Sequence, residues 1–521
     1  MLKPWLPAAA LALVIGASPA AAQITPLTVP KGTFRFDFSG EFRSWDWRWL
    51  DGKRDEAAGD FSRPTLDAAF VPALAPLVDP LKTITGLSQI DLSLGASSAS
   101  TLTNLGTIGI GGAFGLFKGV TLFGTVPIVS VKVEPRFVMF TDNATAGANP
   151  LLHDANAFNN HRAFIGELQA AAATLNTRIS GGFYTDATQL ALAQTTLTRT
   201  QALATAFEIL LANSNYFLPR ATSAVGVAVL QTITDLRQTL ETLQLAGAVA
   251  TTPNLPVSGI DAALFNEYLT DPEGPIQARP LDEVPVYSYL GDIELGAAVA
   301  LVDRYPSSSF GSGIRAWAKT TVRLRTAQLA NPNRFLDQGS GDRQPDVEMM
   351  LIGDVALGRF GARLAGGYNL QLPGNQNRRV TSPASPIAAL TTLAGVRRDP
   401  GDVLLLSAQP FVRLAPYLSL YGGVDYWSKG ADVYTYVAGQ PPVDGVDINV
   451  LAERSKTDAV LLSGGLSYSH TGLNKRGLRG LPMDASFRYQ RILRSGMGAL
   501  PDANTVGIDL RFYTRLFGRG N

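Results

Sequence analysis

The sequence predicts an all-β transmembrane antiparallel barrel of about twelve strands, carrying an inserted α-helical subdomain. Three observations predict it: stretches of about ten residues in which apolar and charged side chains alternate, connections that alternate between short and long, and an export signal at the N-terminus. The last stretch is the clearest. Val506, Ile508, Leu510, Phe512, Thr514 and Leu516 alternate there with Gly507, Asp509, Arg511, Tyr513, Arg515 and Phe517. Successive side chains of a strand point to opposite faces, so this strand separates apolar surroundings from ionic ones. A soluble sheet with one wet face shows the same period. Recurrence of the pattern behind an export signal favours a membrane strand, whose charged face must be kept from lipid.

Residues 1–22 carry one positive charge at Lys3, an apolar run from Leu6 to Ile15 and the small residues Ala20, Ala21 and Ala22 before Gln23. This reads as a cleaved secretory signal, shorter than the roughly 20 apolar residues a spanning helix needs. Beyond it no window of 18 residues is continuously apolar, which excludes a multi-helix membrane protein. The 521 residues include no cysteine and three histidines, with a formal net charge of +1. That excludes disulfide scaffolds, thiolate chemistry and cysteine catalysis, and argues against nucleic acid as a partner. A hydrophobic share of 46%, only 17% charged residues and 51 glycines suit an exported chain of many strands showing one face to lipid.

Taken in order, the strands begin with Phe34, Phe36, Phe38 and Phe42 opposite Arg35, Asp37, Glu41 and Arg43. Residues 105–116 and 120–140 follow, and 89–96 reads as an upward extension of the second strand. Ile293, Leu295, Val299 and Leu301 oppose Asp292 and Glu294, while Ile314, Ala316, Ala318, Val322 and Leu324 oppose Arg315, Lys319, Arg323 and Arg325. The run 347–357 carries Glu348 and Asp354, and Leu364, Tyr368 and Leu370 oppose Arg363 and Asn369. Residues 403–414, 418–437, 459–471 and 483–494 complete the set before the last strand. Tight links at Lys118 and Gly119, 304–310, Arg359 and Phe360, Pro416 and Tyr417, and 473–482 alternate with long polar ones at 51–88, 141–283, 331–346, 374–401, 438–457 and 496–502. Outer-membrane barrels have this asymmetry, with short periplasmic turns and longer outer loops.

Between 141 and 283 the period changes to three, four and seven: Phe158, Ile165, Leu168, Ala172, Leu175 and Ile179 in one stretch, Val229, Ile233, Leu236, Leu240 and Leu243 in another. A third helix is expected over 186–213, capped by Thr185 or Asp186, and 251–280 reads as an irregular proline-rich tether. An insert this long is functional or a subdomain of its own. The domain reading is therefore 1–22 signal, 23–140 strands one to three with a long first outer loop, 141–283 helical insert on the outer side, and 284–521 strands four to twelve.

The expected lumen-facing residues are Arg35, Asp37, Glu41, Arg43, Asp292, Glu294, Arg315, Lys319, Arg323, Arg325, Glu348, Asp354, Arg363, Asp509, Arg511 and Arg515. Opposite charges on adjacent strands form cross-strand pairs, which either neutralise one another in a rigid wall or set up a field across a constriction. The carboxylates at Asp337, Asp342 and Asp346 do not have the spacing of a calcium loop and read as turn residues. His153, His161 and His470 lie beside no serine or acidic constellation, so no enzyme, metal or cofactor is expected.

The segment Gly291-Asp292-Ile293-Glu294-Leu295-Gly296, with the glycine-rich loop 339–346 that ends in Gln344-Pro345-Asp346, resembles the outer-membrane barrels grouped as MetA-pathway phenol-degradation or transporter-like proteins. The resemblance covers roughly 287–517 and implies a channel for small organic solutes, aromatic or otherwise hydrophobic. The helical insert departs from that pattern. The expected partners are outer-membrane lipid, the barrel-assembly machinery during biogenesis and a small-molecule solute. The competing expectation is a structural or adhesive surface protein whose barrel only anchors the helices.

Overall fold

The computed structural model describes residues 25–281, 286–305, 310–470 and 482–516, so the expected export signal and Phe517 lie outside the described residues. Among the described residues twelve long strands close into one antiparallel barrel. They are β1 (Thr33–Trp45), β2 (Ala96–Phe117), β3 (Val120–Phe140), β4 (Glu294–Arg304), β5 (Gly313–Arg323), β6 (Asp346–Leu357), β7 (Phe360–Gln371), β8 (Val403–Ala415), β9 (Leu418–Lys429), β10 (Thr457–His470), β11 (Met483–Arg494) and β12 (Asn504–Arg515). Each pairs with its neighbours in the chain, and β1 closes the circle against β12 with Asp37 opposite Arg511 and Ser39 opposite Asp509. The fourth stave is in two pieces. Val286–Leu290 pairs with the middle of β3, Glu294–Val299 with its start, and Gly291 to Ile293 interrupt the ladder between them.

The β2–β3 hairpin turns at Gly119, whose φ of +78° suits glycine alone among residues without strain. Its strands run 22 and 21 residues. At roughly 3.3 Å per residue they reach about 70 Å, far more than a tilted strand needs to cross a hydrocarbon core of about 30 Å. The surplus projects from the long-loop end and carries a helical cap. Phe137 on this projection stacks on Phe265 of the cap at 5.5 Å.

The cap contains α1 (Val78–Thr85), α2 (Ala155–Ser180), α3 (Ala187–Leu210), α4 (Ala224–Thr242) and α5 (Ala262–Thr270). Asp154, Asp186, Ser223 and Asp261 each accept a backbone N–H at the start of a helix, which is why the longer helices begin where they do. Four features differ from the sequence reading. The first long connection is no detached polar loop: Leu74, Leu77 and Leu81 share one apolar core with Phe164, Leu168, Phe207 and Leu236, and the Thr232 hydroxyl donates to the Ile84 carbonyl at 3.0 Å. Residues 89–95 do not extend a strand either. Leu92 and Leu94 are buried in that same core, and β2 begins at Ala96. Burial against helices, which also satisfies alternating apolar residues, won over strand pairing. Likewise the expected strand over 418–437 stops at Lys429, and Val433–Tyr436 joins a separate three-stranded sheet with Gly374–Arg379 and Leu393–Asp399. The stretch read as an irregular tether holds α5.

Candidate functional site: the barrel interior

Alternation sorts each strand's side chains by direction. On β6, Leu351 is 63% exposed while its neighbours in the other row, Glu348 and Asp354, are 1% exposed. On β7, Leu364 is 58% exposed and Arg363 is fully buried. Every stave repeats this, from Phe36 and Phe38 on β1 to Ile508 on β12. A closed barrel with an apolar exterior and an ionic interior reverses the arrangement of a water-soluble protein, and strands closed on one another leave no backbone group unpaired in lipid. The chain is a membrane-spanning β-barrel. No described helix is long and apolar enough to cross a membrane.

Three clusters of ions occupy the interior. In the first, Arg323 contacts Glu294 at 2.8 Å, Asp346 at 2.8 Å and Glu348 at 3.2 Å, and Lys319 lies 3.6 Å from Glu348. In the second, Asp354 accepts from Arg315 at 2.6 Å and from Arg363 at 2.6 Å. The third crosses the closure: Arg35 contacts Asp37 at 2.6 Å, Arg511 approaches Asp37 at 3.9 Å, and Glu41 pairs with Arg43 at 2.5 Å and Arg488 at 2.6 Å. Asp509 accepts a hydrogen bond from Ser486 at 3.1 Å.

Three of the expected residues stand apart from these clusters. Asp292 falls in the interruption of the fourth stave, where its carboxylate accepts the backbone N–H groups of Thr326 and Ala327 at 3.0 and 2.9 Å. Arg325 lies beyond the end of β5, exposed, and donates to the Pro373 carbonyl. Arg515 is exposed at the last position of β12, opposite Thr33. All three keep the right parity; what removes them is that the strand ends or breaks beside them.

The interior holds a second component. The segment 25–32 enters the short-turn end and crosses the lumen. The Thr25 carbonyl accepts from Arg363 on β7 at 3.0 Å, and its hydroxyl accepts from Arg511 on β12 at 2.8 Å. Those strands are five staves apart in a ring of twelve, nearly opposite walls. Further along, Arg35 donates to the Leu27 carbonyl, Trp317 donates to the Thr28 hydroxyl at 3.3 Å, and Val29 N–H donates to Thr121 at 2.7 Å. Leu27 packs with Ala298, Trp317, Met350, Ile352 and Ala365. Room for the strap comes from small inward residues of β2, Ala113, which packs with Val29, and Gly115. A methyl on Gly115 would sit 2.1 Å from the Pro30 carbonyl oxygen.

Toward the long-loop end the inward rows turn apolar. Trp45, Leu105, Val129, Val131 and Val133 form one buried cluster against which Leu336 of the β5–β6 loop packs, and Val403, Leu405, Trp427, Ala459, Leu461 and Ile492 form another. Neither the strap nor these layers was expected from the sequence. The strap had a usable signal, since Thr25, Leu27 and Val29 alternate with Pro26, Thr28 and Pro30, a pattern for an extended, one-sidedly buried segment.

Among the described residues no group of three histidine or acidic side chains is placed to hold a metal ion. Asp337 of the glycine-rich loop accepts instead from the Tyr287 hydroxyl and from Asn331 N–H. Of the histidines, His161 is buried in the cap against Asn254, His153 is exposed near Glu267, and His470 stacks on Tyr417 at 4.4 Å.

No family model matches the chain and no curated protein matches it. Among solved structures it is similar to the COG4313 outer membrane channel from Pseudomonas putida F1, with a TM-score of 0.41, 8% identity, and 94% of this chain and 97% of that one covered. A Pseudomonas aeruginosa FadL homologue gives a TM-score of 0.26 at 8% identity over 93% and 90% of the two chains. The transport unit of the autotransporter AIDA-I from Escherichia coli gives 0.30 at 6% over 94% and 92%.

Proposed function

We propose that the protein is an outer-membrane channel for passive or facilitated uptake of small organic solutes, of the kind grouped with MetA-pathway barrels. The observation that carries this reading is the strap. A barrel filled by its own wall side chains has no space for a polypeptide, whereas this one admits 25–32 across its width and makes the space with small residues on β2. A lumen closed by a tethered segment is a lumen that opens when the segment leaves. The apolar layers near the long loops favour a solute with an organic body, and the charge clusters below them form a polar wall past which it travels. Lumen-lining roles follow for the expected residues that are buried in those clusters: Arg35, Arg315, Lys319, Arg323, Glu348, Asp354, Arg363 and Arg511. The cap at the long-loop end faces the outside and acts as a lid over the mouth, and the apolar belt contacts outer-membrane lipid.

The rival reading is a surface anchor for the cap, and the size of the cap core favours it. Planar-bilayer conductance separates the two. Purified protein with and without 141–283 should carry current. Absence of current from both, and from protein lacking the strap, sinks the channel reading.

A further inference from the structure

Between the β5–β6 loop and the three-stranded sheet at the long-loop end lies a cavity of ≈330 Å³. That is within the range of pockets that hold small organic ligands. Its wall carries Arg334, Arg378, Arg379 and Arg398 against two acids, Asp337 and Asp342, an excess of two positive charges among the lining side chains, although Arg398 is itself paired with Asp432 at 2.8 Å. Both acids are engaged. Asp337 takes the Tyr287 hydroxyl and Asn331 N–H, and Asp342 takes Gln344 N–H and stands 3.8 Å from Arg398.

Arg379 is the unusual group. It is 7% exposed, and its hydrogen bonds run to neutral oxygens: the carbonyls of Pro332, Ala388, Ile276 and Gln277 and the side chain of Asn333. Among the described residues no carboxylate lies within ion-pair distance of it, and burial lowers its pKa with no acid to oppose that. A buried cation without a counter-charge is costly, and an anion reaching it would offset that cost. A second group points the same way: the side-chain amide nitrogen of Gln376, on the cavity wall, is buried with no hydrogen-bond partner. Apolar side chains line the cavity beside it: the Arg379 guanidinium lies over the Phe335 ring at 5.7 Å, and Leu329 and Pro332 belong to the same lining.

We infer that this cavity binds a small organic anion, a carboxylate on an apolar or aromatic body, with Arg379 and the neighbouring arginines holding the carboxylate and the Phe335 side holding the body. The inference rests on the channel reading for its role, since it names the solute class gathered at the mouth before passage. Binding itself is independent of conduction.

The probes are benzoate, benzyl alcohol as its uncharged counterpart, and acetate as the anion without a ring, each titrated calorimetrically into detergent-solubilised full-length protein. Benzoate should bind at one site at least tenfold tighter than either control. Arg379→Gln should weaken benzoate by about tenfold or more, the usual scale for a charge-assisted contact. Arg378 is exposed on the rim, so Arg378→Glu tests the charge without touching the fold and should weaken benzoate by roughly tenfold. Equal affinity for benzoate and benzyl alcohol, or full benzoate affinity in Arg378→Glu, overturns the site. Loss of all current with benzoate binding intact overturns the channel and leaves the site standing.

Discussion

Displacing the strap is the perturbation on which the channel reading depends most. Five of the hydrogen bonds that tie Thr25, Leu27, Thr28 and Val29 to the wall contribute roughly 1 kcal/mol each. Burial of Leu27 and Val29, 6% and 2% exposed, adds about 2 kcal/mol apiece. Against this gain of about 9 kcal/mol stands the ordering of the segment's non-proline residues at roughly 1–2 kcal/mol each, which comes to a similar total. The strap is thus held by a small residual, and a modest steric push should tip it. Gly115→Val supplies that push, because its Cβ would fall 2.1 Å from the Pro30 carbonyl oxygen and 2.6 Å from that of Val29. Losing the Val29 anchor and its bond to Thr121 shifts the balance by about 3 kcal/mol, on the order of a hundredfold in the open population. In planar bilayers Gly115→Val should raise the time-averaged conductance, and deletion of 25–32 should hold the pore open throughout. Unchanged current in both variants, with the barrel correctly folded, would refute the reasoning and move the constriction to the apolar layer at Trp45 and Leu336.

Arg323→Met leaves Glu294, Asp346 and Glu348 facing one another, and should cost roughly 3–5 kcal/mol, read as a lower urea midpoint for loss of the compact barrel band on unheated gels. A loss below about 1 kcal/mol would show that these pairs sit in water rather than in a dry wall. Leu81 on α1 is fully buried in the cap core, so Leu81→Ala should cost roughly 2–5 kcal/mol and make the cap protease-sensitive while the barrel stays resistant. Simultaneous loss of both would mean that cap and barrel fold as one unit. Burial lowers the pKa of His161, partly opposed by its hydrogen bond with Asn254. Its neutral form is the one the fold prefers, so its contribution is complete above about pH 6.5 and declines as pH falls through the lowered value. Cleavage near 251–254 should rise with acid across that window, and His161→Phe should flatten the profile; an unchanged profile would assign the titration elsewhere.

Lipid is a uniform surrounding, and that is why the membrane face was legible in the sequence. Each outward residue answers to the same requirement, so Phe36, Leu351, Leu364 and Ile508 declare themselves by period alone. Closure brings the last strand against the first with Asp37 opposite Arg511, a register that alternation by itself does not set. Parity is blind to where a strand stops. Asp292, Arg325 and Arg515 share the parity of the ionic row, yet a broken ladder or a strand end takes each out of it. Parity is equally blind to what fills the lumen, because an inward side chain is chosen for partners on distant strands or on none. The strap shows this most directly, since its contacts to Arg363 and Arg511 span 338 and 486 positions. The clue that survives in sequence is a deficit rather than a pattern. Ala113 and Gly115 leave the inward row of β2 nearly bare where the strap passes, in a wall otherwise lined by long ionic side chains, and a bare row in a closed barrel means that some other segment occupies the space.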